Sequence, residues 1–361
     1  VHHCEQTGIV GRMGGVFSTI EDCHIHHVCN SQQLGGAETA GIKLHAAIDV
    51  TIRRNHIHHC IMGVWLDWQA QGARITQNLL HDNHRPEGVA QARGAMFNND
   101  VFIEVGHGPT LIDNNVMLSK TSVVIPSQGI ACVHNLMLGN FGLINSGVDS
   151  IVNGQREPRY TPYHIRHRTE VAGFMTILHG DDRIYNNIFV QHYPITDKKR
   201  TPQNADYEVV GTACFDIFPT YDEWISHFML GQEPNMGGLG TYHFGHLPVW
   251  VEGNAYLNGA DVCKHETHNL KVSRRAKAKV ELEEKDGKYF LKTNLYDYLK
   301  DFRDEIITTE TLGKAFEPEQ RFESPDGSDI VFDQDYFGNH RGLDTLPGPF
   351  ADAEAAKAVL W

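Results

Sequence analysis

Residues 52–57 read Ile52-Arg53-Arg54-Asn55-His56-Ile57: an apolar residue, two others, Asn, one other, and a second apolar residue. The same spacing returns at Ile75-Asn78-Leu80, Ile112-Asn115-Met117, Cys132-Asn135-Met137, Ile184-Asn187-Phe189 and Val251-Asn254-Tyr256, and at Ile20-Cys23-Ile25 with Cys in the Asn place. Successive Asn positions lie 23, 37, 20, 52 and 67 residues apart. A coil of roughly 20–23 residues, lengthened by insertions, accounts for these gaps. The apolar runs are short and alternate with polar residues, which is the period of a strand and not of a helix. Asn tolerates the left-handed conformation of a sharp corner, and stacked Asn side chains hydrogen-bond along a ladder. The expected fold is all-β, a right-handed parallel β-helix (a solenoid) with a β-rich, sandwich-like accessory region.

A second short strand recurs in phase with the first. It reads Gly41-Ile-Lys-Leu-His45, Gly63-Val-Trp-Leu-Asp67, Asp100-Val-Phe-Ile-Glu104 and Ser122-Val-Val-Ile-Pro126. Alternation turns Ile42, Leu44, Val64, Leu66, Val101, Ile103, Val123 and Ile125 inward. Lys43, His45, Trp65, Asp67, Phe102 and Glu104 then point outward.

The repeat spans residues 1–263, with an insertion at about 84–99 and irregular excursions at 141–182 and 194–248. Beyond residue 264 charged residues become dense, and Lys279-Val-Glu-Leu-Glu and Lys288-Tyr-Phe-Leu-Lys alternate like exposed antiparallel strands. Residues 264–361 are therefore expected to form the accessory region and C-terminal tail. The chain opens on Val1-His2-His3-Cys4, which reads as the middle of a repeat, so an N-terminal part is expected to be missing or to sit on another chain.

The 361 residues carry a formal net charge of -14, which argues against a nucleic-acid or anionic-membrane partner. No apolar run is long enough to span a bilayer. The seven cysteines are scattered, with no CxxC pair, which leans toward a reducing, cytoplasmic setting.

Asp67 and Glu104 occupy the same outward position on successive coils. Stacked strands lie roughly 4.8 Å apart, so the two carboxyls are expected about 5 Å apart. Retaining glycosidases need about 5–5.5 Å, whereas inverting ones need about 6.5–9.5 Å to admit a water. Like charges this close raise one pKa, which suits a general acid beside an ionised nucleophile. The shorter Asp67 is the nucleophile candidate and Glu104 the acid. A ladder of solvated charges is the bland alternative; the rings of Trp65, Trp68, His45 and His107 around the pair argue against it.

The segments Gly63-Val-Trp-Leu-Asp-Trp-Gln-Ala-Gln-Gly72 and Asp100-Val-Phe-Ile-Glu-Val-Gly-His-Gly-Pro109 resemble the two catalytic segments of glycoside hydrolase family 120. The resemblance extends to residues 36–49, to Thr161-Pro-Tyr-His164, to residues 180–189 and to residues 312–322. It implies a β-xylosidase with a parallel β-helix and a β-sandwich region, with Asp67 as nucleophile, Glu104 as acid/base, and retention of configuration. It also implies Glu38 as a third acidic residue at the site, contacting sugar hydroxyls or tuning Glu104. His45, Trp65, Trp68, Gln71, His107 and His164 are the expected substrate contacts. The insertion at 84–99 departs from the family.

The expected activity is thus retaining exo-hydrolysis of short β-linked xylosides, on a small oligosaccharide or glycoside substrate, with no cofactor. Two rivals stand beside it: a polysaccharide lyase, which would draw on basic residues such as Lys43 and Arg74, and a non-catalytic carbohydrate-binding β-helix. A second chain or subunit supplying the N-terminal part, and a homo-oligomer, are both compatible with the sequence. Histidines recur at His24, His26 and His27 and at His56, His58 and His59. His-x-His on a strand puts two imidazoles on one face, as a metal site requires. Polar positions repeated by the solenoid explain the pattern equally, and no metal is assigned. The Asp181-Asp182 pair resembles that of pectin-cleaving β-helix hydrolases, whose other signatures are absent.

Overall fold

The structure is a computed structural model and describes residues 1–12, 15–34, 36–92, 98–142, 149–199, 201, 207–228, 245–299 and 301–361. Residues 93–97 of the insertion lie outside the described residues. Three parallel sheets of six, seven and eight strands dominate, and the chain adds strands to them in turn. The first sheet stacks Thr7–Gly11, Ala40–His45, Met62–Asp67, Asn99–Ile103, Thr121–Val124 and Asn140–Gly142. The second begins at Thr19–Glu21 and ends at Val249–Glu252. The third runs from His24–His26 to Asn269–Lys271, past the change in composition at residue 264.

The six-residue motif now has a physical meaning. Its first apolar residue is an inward position of the second sheet, where Ile20, Ile52, Ile75, Ile112, Cys132, Ile184 and Val251 stand in register. Its last is an inward position of the third sheet, where Ile25, Ile57, Leu80, Met117, Met137, Phe189 and Tyr256 do the same. Ile42, Val64, Val101 and Val123 complete the core from the first sheet.

The Asn lies at the corner between, but it is not the residue that turns left-handed. Positive φ falls one residue earlier, at Asp22, Arg54, Gln77, Asn114, His134, Asn186 and Gly253. The Asn instead satisfies the backbone of the corner. The Oδ1 of Asn78 accepts from the backbone N and the Nδ2 of Asn55, at 2.9 and 3.0 Å. Asn115, Asn135, Asn187 and Asn254 repeat the relay one coil at a time, all at 2.9–3.0 Å. Each of these Asn side chains is fully buried. The ladder ends on Glu266, whose Oε1 accepts from both donors of Asn254. Burial pushes that carboxyl up to about 7, against the hydrogen bond from Tyr256.

The tail packs on the outer faces of two sheets. Leu79, Val116, Leu136 and Ile188 of the third sheet meet Val280, Leu291, Leu299 and Phe350. Leu111, Val133 and Tyr185 of the second sheet meet Ile307, Phe322 and Phe332. Val280–Lys285 and Lys288–Thr293 pair antiparallel, as their alternation predicts. The seven cysteines form no disulfide, and among the described residues no helix is long and apolar enough to cross a membrane.

Replacing Asn135 by Ala removes the acceptor for the buried backbone N and Nδ2 of Asn115. A buried donor left unpaired costs about 1–3 kcal/mol. Asn135→Ala is therefore expected to lower the unfolding free energy by roughly that amount or more, read from the urea midpoint. An unchanged midpoint would show that the ladder is incidental to stability.

Candidate active site

Alternation along Ala40–His45 and Met62–Asp67 places Leu44 and Leu66 in the core and sends the residues beside them out of the stack. His45 is opposite Asp67 in register. Ile103 is opposite Leu66, and the Glu104 backbone N donates to Leu66 O at 2.8 Å, so Glu104 follows one rung beyond Asp67. The neighbouring outward column is Lys43, Trp65 and Phe102.

This face is covered, not solvated. Lys43 is fully buried and lies 4.1 Å from the Trp65 ring centroid. Its Nζ donates to Asp67 Oδ2 at 2.7 Å, contacts His45 Nε2 at 2.7 Å, and bonds Glu38 Oε2. His45 Nε2 is also 3.3 Å from Glu38 Oε1 and 3.4 Å from Asp67 Oδ2. The second Asp67 oxygen accepts from the Trp68 backbone N at 2.8 Å. Burial pushes the Glu38 carboxyl up, but the hydrogen bonds from Lys43 and His45 outweigh it and hold it below the ordinary range.

Glu104 sits in a different environment. Its residue is 8% exposed, and Arg159 Nη2 donates to its Oε1 at 2.7 Å. Burial first, and then the adjacent Asp67 charge, raise the Glu104 carboxyl above the ordinary glutamate range; Arg159 opposes the rise. The arrangement presents one carboxyl suited to giving a proton beside one fixed by a lysine.

Of the expected site residues, Glu38, His45, Asp67 and Glu104 come together here. Trp68 is 36% exposed and lies 5.1 Å from the Arg159 guanidinium, leaving a half-open aromatic surface at the site. Trp65 differs from expectation: it is 2% exposed and packs on Phe102 and under Lys43, so its ring offers no open face. Gln71, His107 and His164 are buried as well, and they hold a hairpin. Gln71 exchanges hydrogen bonds with the His164 backbone at 2.9 and 3.0 Å and donates to Gln320 at 2.8 Å. His107 Nε2 contacts Thr161 O at 3.1 Å. These contacts seat the antiparallel pair Tyr160–His164 and Val171–Thr176, whose first strand follows directly on Arg159. The three residues thereby position the guanidinium that reaches Glu104.

Arg159 is the site residue that sequence reasoning did not place. Lys43 was legible as an outward neighbour of His45; Arg159, 55 residues beyond Glu104, carried no signal. Arg74 faces elsewhere, paired with Asp113 on the second sheet at 2.8 and 2.9 Å. Asp181 and Asp182 are fully buried and serve structure: Asp181 accepts from Phe316 N at 2.8 Å and Asp182 from Ile130 N at 3.1 Å.

A solved structure described as "The complex structure of XylC with xylose" is similar to this chain, with a TM-score of 0.81 and 34% sequence identity over 100% of the chain. The chain spans 50% of the length of that protein. No family model and no curated protein matches it.

The Arg159 charge favours the ionised form of Glu104, so its removal must raise the carboxyl further. In Arg159→Gln, Glu104 is expected to titrate at higher pH than in the wild type, by carboxyl-edited NMR. A downward or absent shift would mean that the pair does not form in solution.

Proposed function

We propose that this chain carries the catalytic face of a retaining glycosidase that releases xylose units from short β-linked xylosides. The observation that carries this reading is the pair of carboxyls, Asp67 and Glu104, one rung apart on parallel strands. Rung spacing of roughly 4.8 Å suits direct attack by a carboxylate and leaves no room for an intervening water. Asp67 attacks the anomeric carbon while Glu104 protonates the leaving oxygen. Glu104 then takes a proton from water, which opens the glycosyl–Asp67 ester with a second inversion. Lys43 fixes the Asp67 carboxylate in the attacking orientation. Glu38 and His45 stand beside Asp67 and are placed to meet sugar hydroxyls, and the Trp68 ring offers a stacking surface.

The likeness to a protein solved with xylose supports the choice of a pentose, and the resemblance of residues 63–72 and 100–109 to glycoside hydrolase family 120 points the same way. The three sheets, wound by strands that recur in turn, support reading the stack as a right-handed parallel β-helix over residues 1–263 and the remainder as its accessory region.

Hydrolysis of 4-nitrophenyl β-xyloside tests the reading. Asp67→Asn and Glu104→Gln are each expected to lower kcat/KM by roughly 10²–10⁴-fold or more. Azide should restore turnover to Glu104→Ala, yielding the β-xylosyl azide. A wild type inactive on every nitrophenyl glycoside, or azide rescue giving the inverted product, would sink the proposal.

A further inference from the structure

A second cluster of chemically able side chains stands on the outer face of the third sheet. His24 and His26 pair in register with His56 and His58, and His58 with His81. The rings stack at strand spacing. His24 lies on His56 at 4.8 Å and 2°, His26 on His58 at 5.1 Å and 7°, and His58 on His81 at 4.9 Å and 2°. Two tail residues close over them: Tyr289 meets His56 edge-on at 4.4 Å, and Trp361 lies 5.5 Å from His56 and 6.2 Å from His24.

One ring nitrogen from each of His24, His56 and His58 lies within 4.8 Å of the other two. The closest approach is His24 Nε2 to His58 Nε2, at 2.8 Å. His56 is fully buried, and its Nδ1 has no hydrogen-bond partner among the described residues. A stack built for packing alone would be better served by phenyl rings, which leave no buried nitrogen unpaired.

We propose that His24, His56 and His58 form a three-imidazole site for a divalent transition-metal ion of the zinc class. The donor set is all nitrogen, which suits zinc, nickel and copper and excludes magnesium and calcium. Tetrahedral zinc with bonds of about 2.0–2.1 Å sets its ligand nitrogens about 3.3 Å apart. The His24–His58 contact then opens by about half an ångström, a small tilt of the exposed His24 ring. Both Nε2 atoms must be bare for ligation, with the ring protons on Nδ1. His58 Nδ1 already has an acceptor in His59 Nδ1 at 2.7 Å, the outer contact that fixes the tautomer of a ligating imidazole. His56 Nε2 contacts His81 Nε2 at 2.8 Å, as His24 Nε2 and His58 Nε2 contact each other. The exposed side of His24 leaves the fourth position to a water. The site is on a different sheet from the carboxylate pair and does not depend on the glycosidase reading.

Equilibrium dialysis of the full chain against zinc, with metal per chain read by atomic emission, tests the assignment. The comparison set is His24→Phe, which keeps the ring stack, and Asp82→Asn, which removes the carboxylate from the neighbouring group of His59, His81 and Asp82. Wild type and Asp82→Asn are expected to hold one zinc, and His24→Phe to bind it at least tenfold more weakly. Zinc should raise the melting temperature of the wild type and not that of His24→Phe, and magnesium should raise neither. Cobalt substituted for zinc should give the strong visible bands of a tetrahedral site in the wild type and not in His24→Phe. A wild type that holds no stoichiometric zinc overturns the proposal. So does a His24→Phe variant, folded by circular dichroism, that keeps the metal, or an Asp82→Asn variant that loses it.

Discussion

The buried relay of asparagine amides fixes the register of every coil on the next. At each corner the chain turns through one left-handed residue, which points the following backbone N–H away from the strand it has left. The next coil's Asn Oδ1 accepts that N–H together with the Nδ2 above it, at 2.9–3.0 Å along the whole row. A slip of one residue would leave these buried donors unpaired and turn each strand's core face outward, so the two penalties enforce the same register. Everything else borrows from this alignment: the Ile and Val columns of the core, the row His45, Asp67, Glu104, and the imidazole stack. Where the row ends, Glu266 supplies the carboxyl oxygen that a further Asn would have given.

The site uses that alignment to crowd charges. Glu38, Asp67 and Glu104 are answered by Lys43 and Arg159, and Lys43 is fully buried. Burying ion pairs is weak support for stability, because desolvation offsets most of the attraction. The return lies in orientation. Lys43 reaches the site because it is rigidly framed by Trp65 and bound to Glu38, His45 and Asp67 at once. Arg159 reaches it because a hairpin, seated by Gln71, His107 and His164, delivers it. The two carboxyls of the pair therefore differ in partner as well as in residue type, and unlike surroundings give two carboxyls unlike proton affinities.

Much of this was legible in the sequence, for a definite reason. A repeated coil writes its register into the chain, so the Asn spacing located the corners and the phase of the second strand put Asp67 and Glu104 on one outward row. What the repeat could not disclose is what covers an outward face. Alternation assigns Trp65 to the outside, yet Phe102 and Lys43 enclose it, and the hairpin that brings Arg159 belongs to an excursion with no periodicity. The same gap explains Gln71, His107 and His164, which were read as sugar contacts and are spent on holding that hairpin. The left-handed corner residue was displaced by one position because the ladder, not the turn, is what requires Asn. Arg54, Gln77 and His134 take the positive φ without any of the special chemistry expected there.

Rung spacing also limits what any outward row can be. Two like unit charges about 5 Å apart repel by about 3 kcal/mol at an effective dielectric constant of 20. A column of identical ionisable residues can persist only if neighbours cancel the charge or the residues give it up. The carboxylate row takes the first course with Lys43 and Arg159, and partly the second, since Glu104 is pushed toward its neutral form. Three imidazoles of the columns take the second course, with His26 lowered to about 4 and His56 and His58 to about 2 by burial and by their neighbours. One geometric constraint thus yields a carboxyl pushed toward its neutral form on one sheet and imidazoles pushed toward theirs on another, and both follow from placing like residues one rung apart.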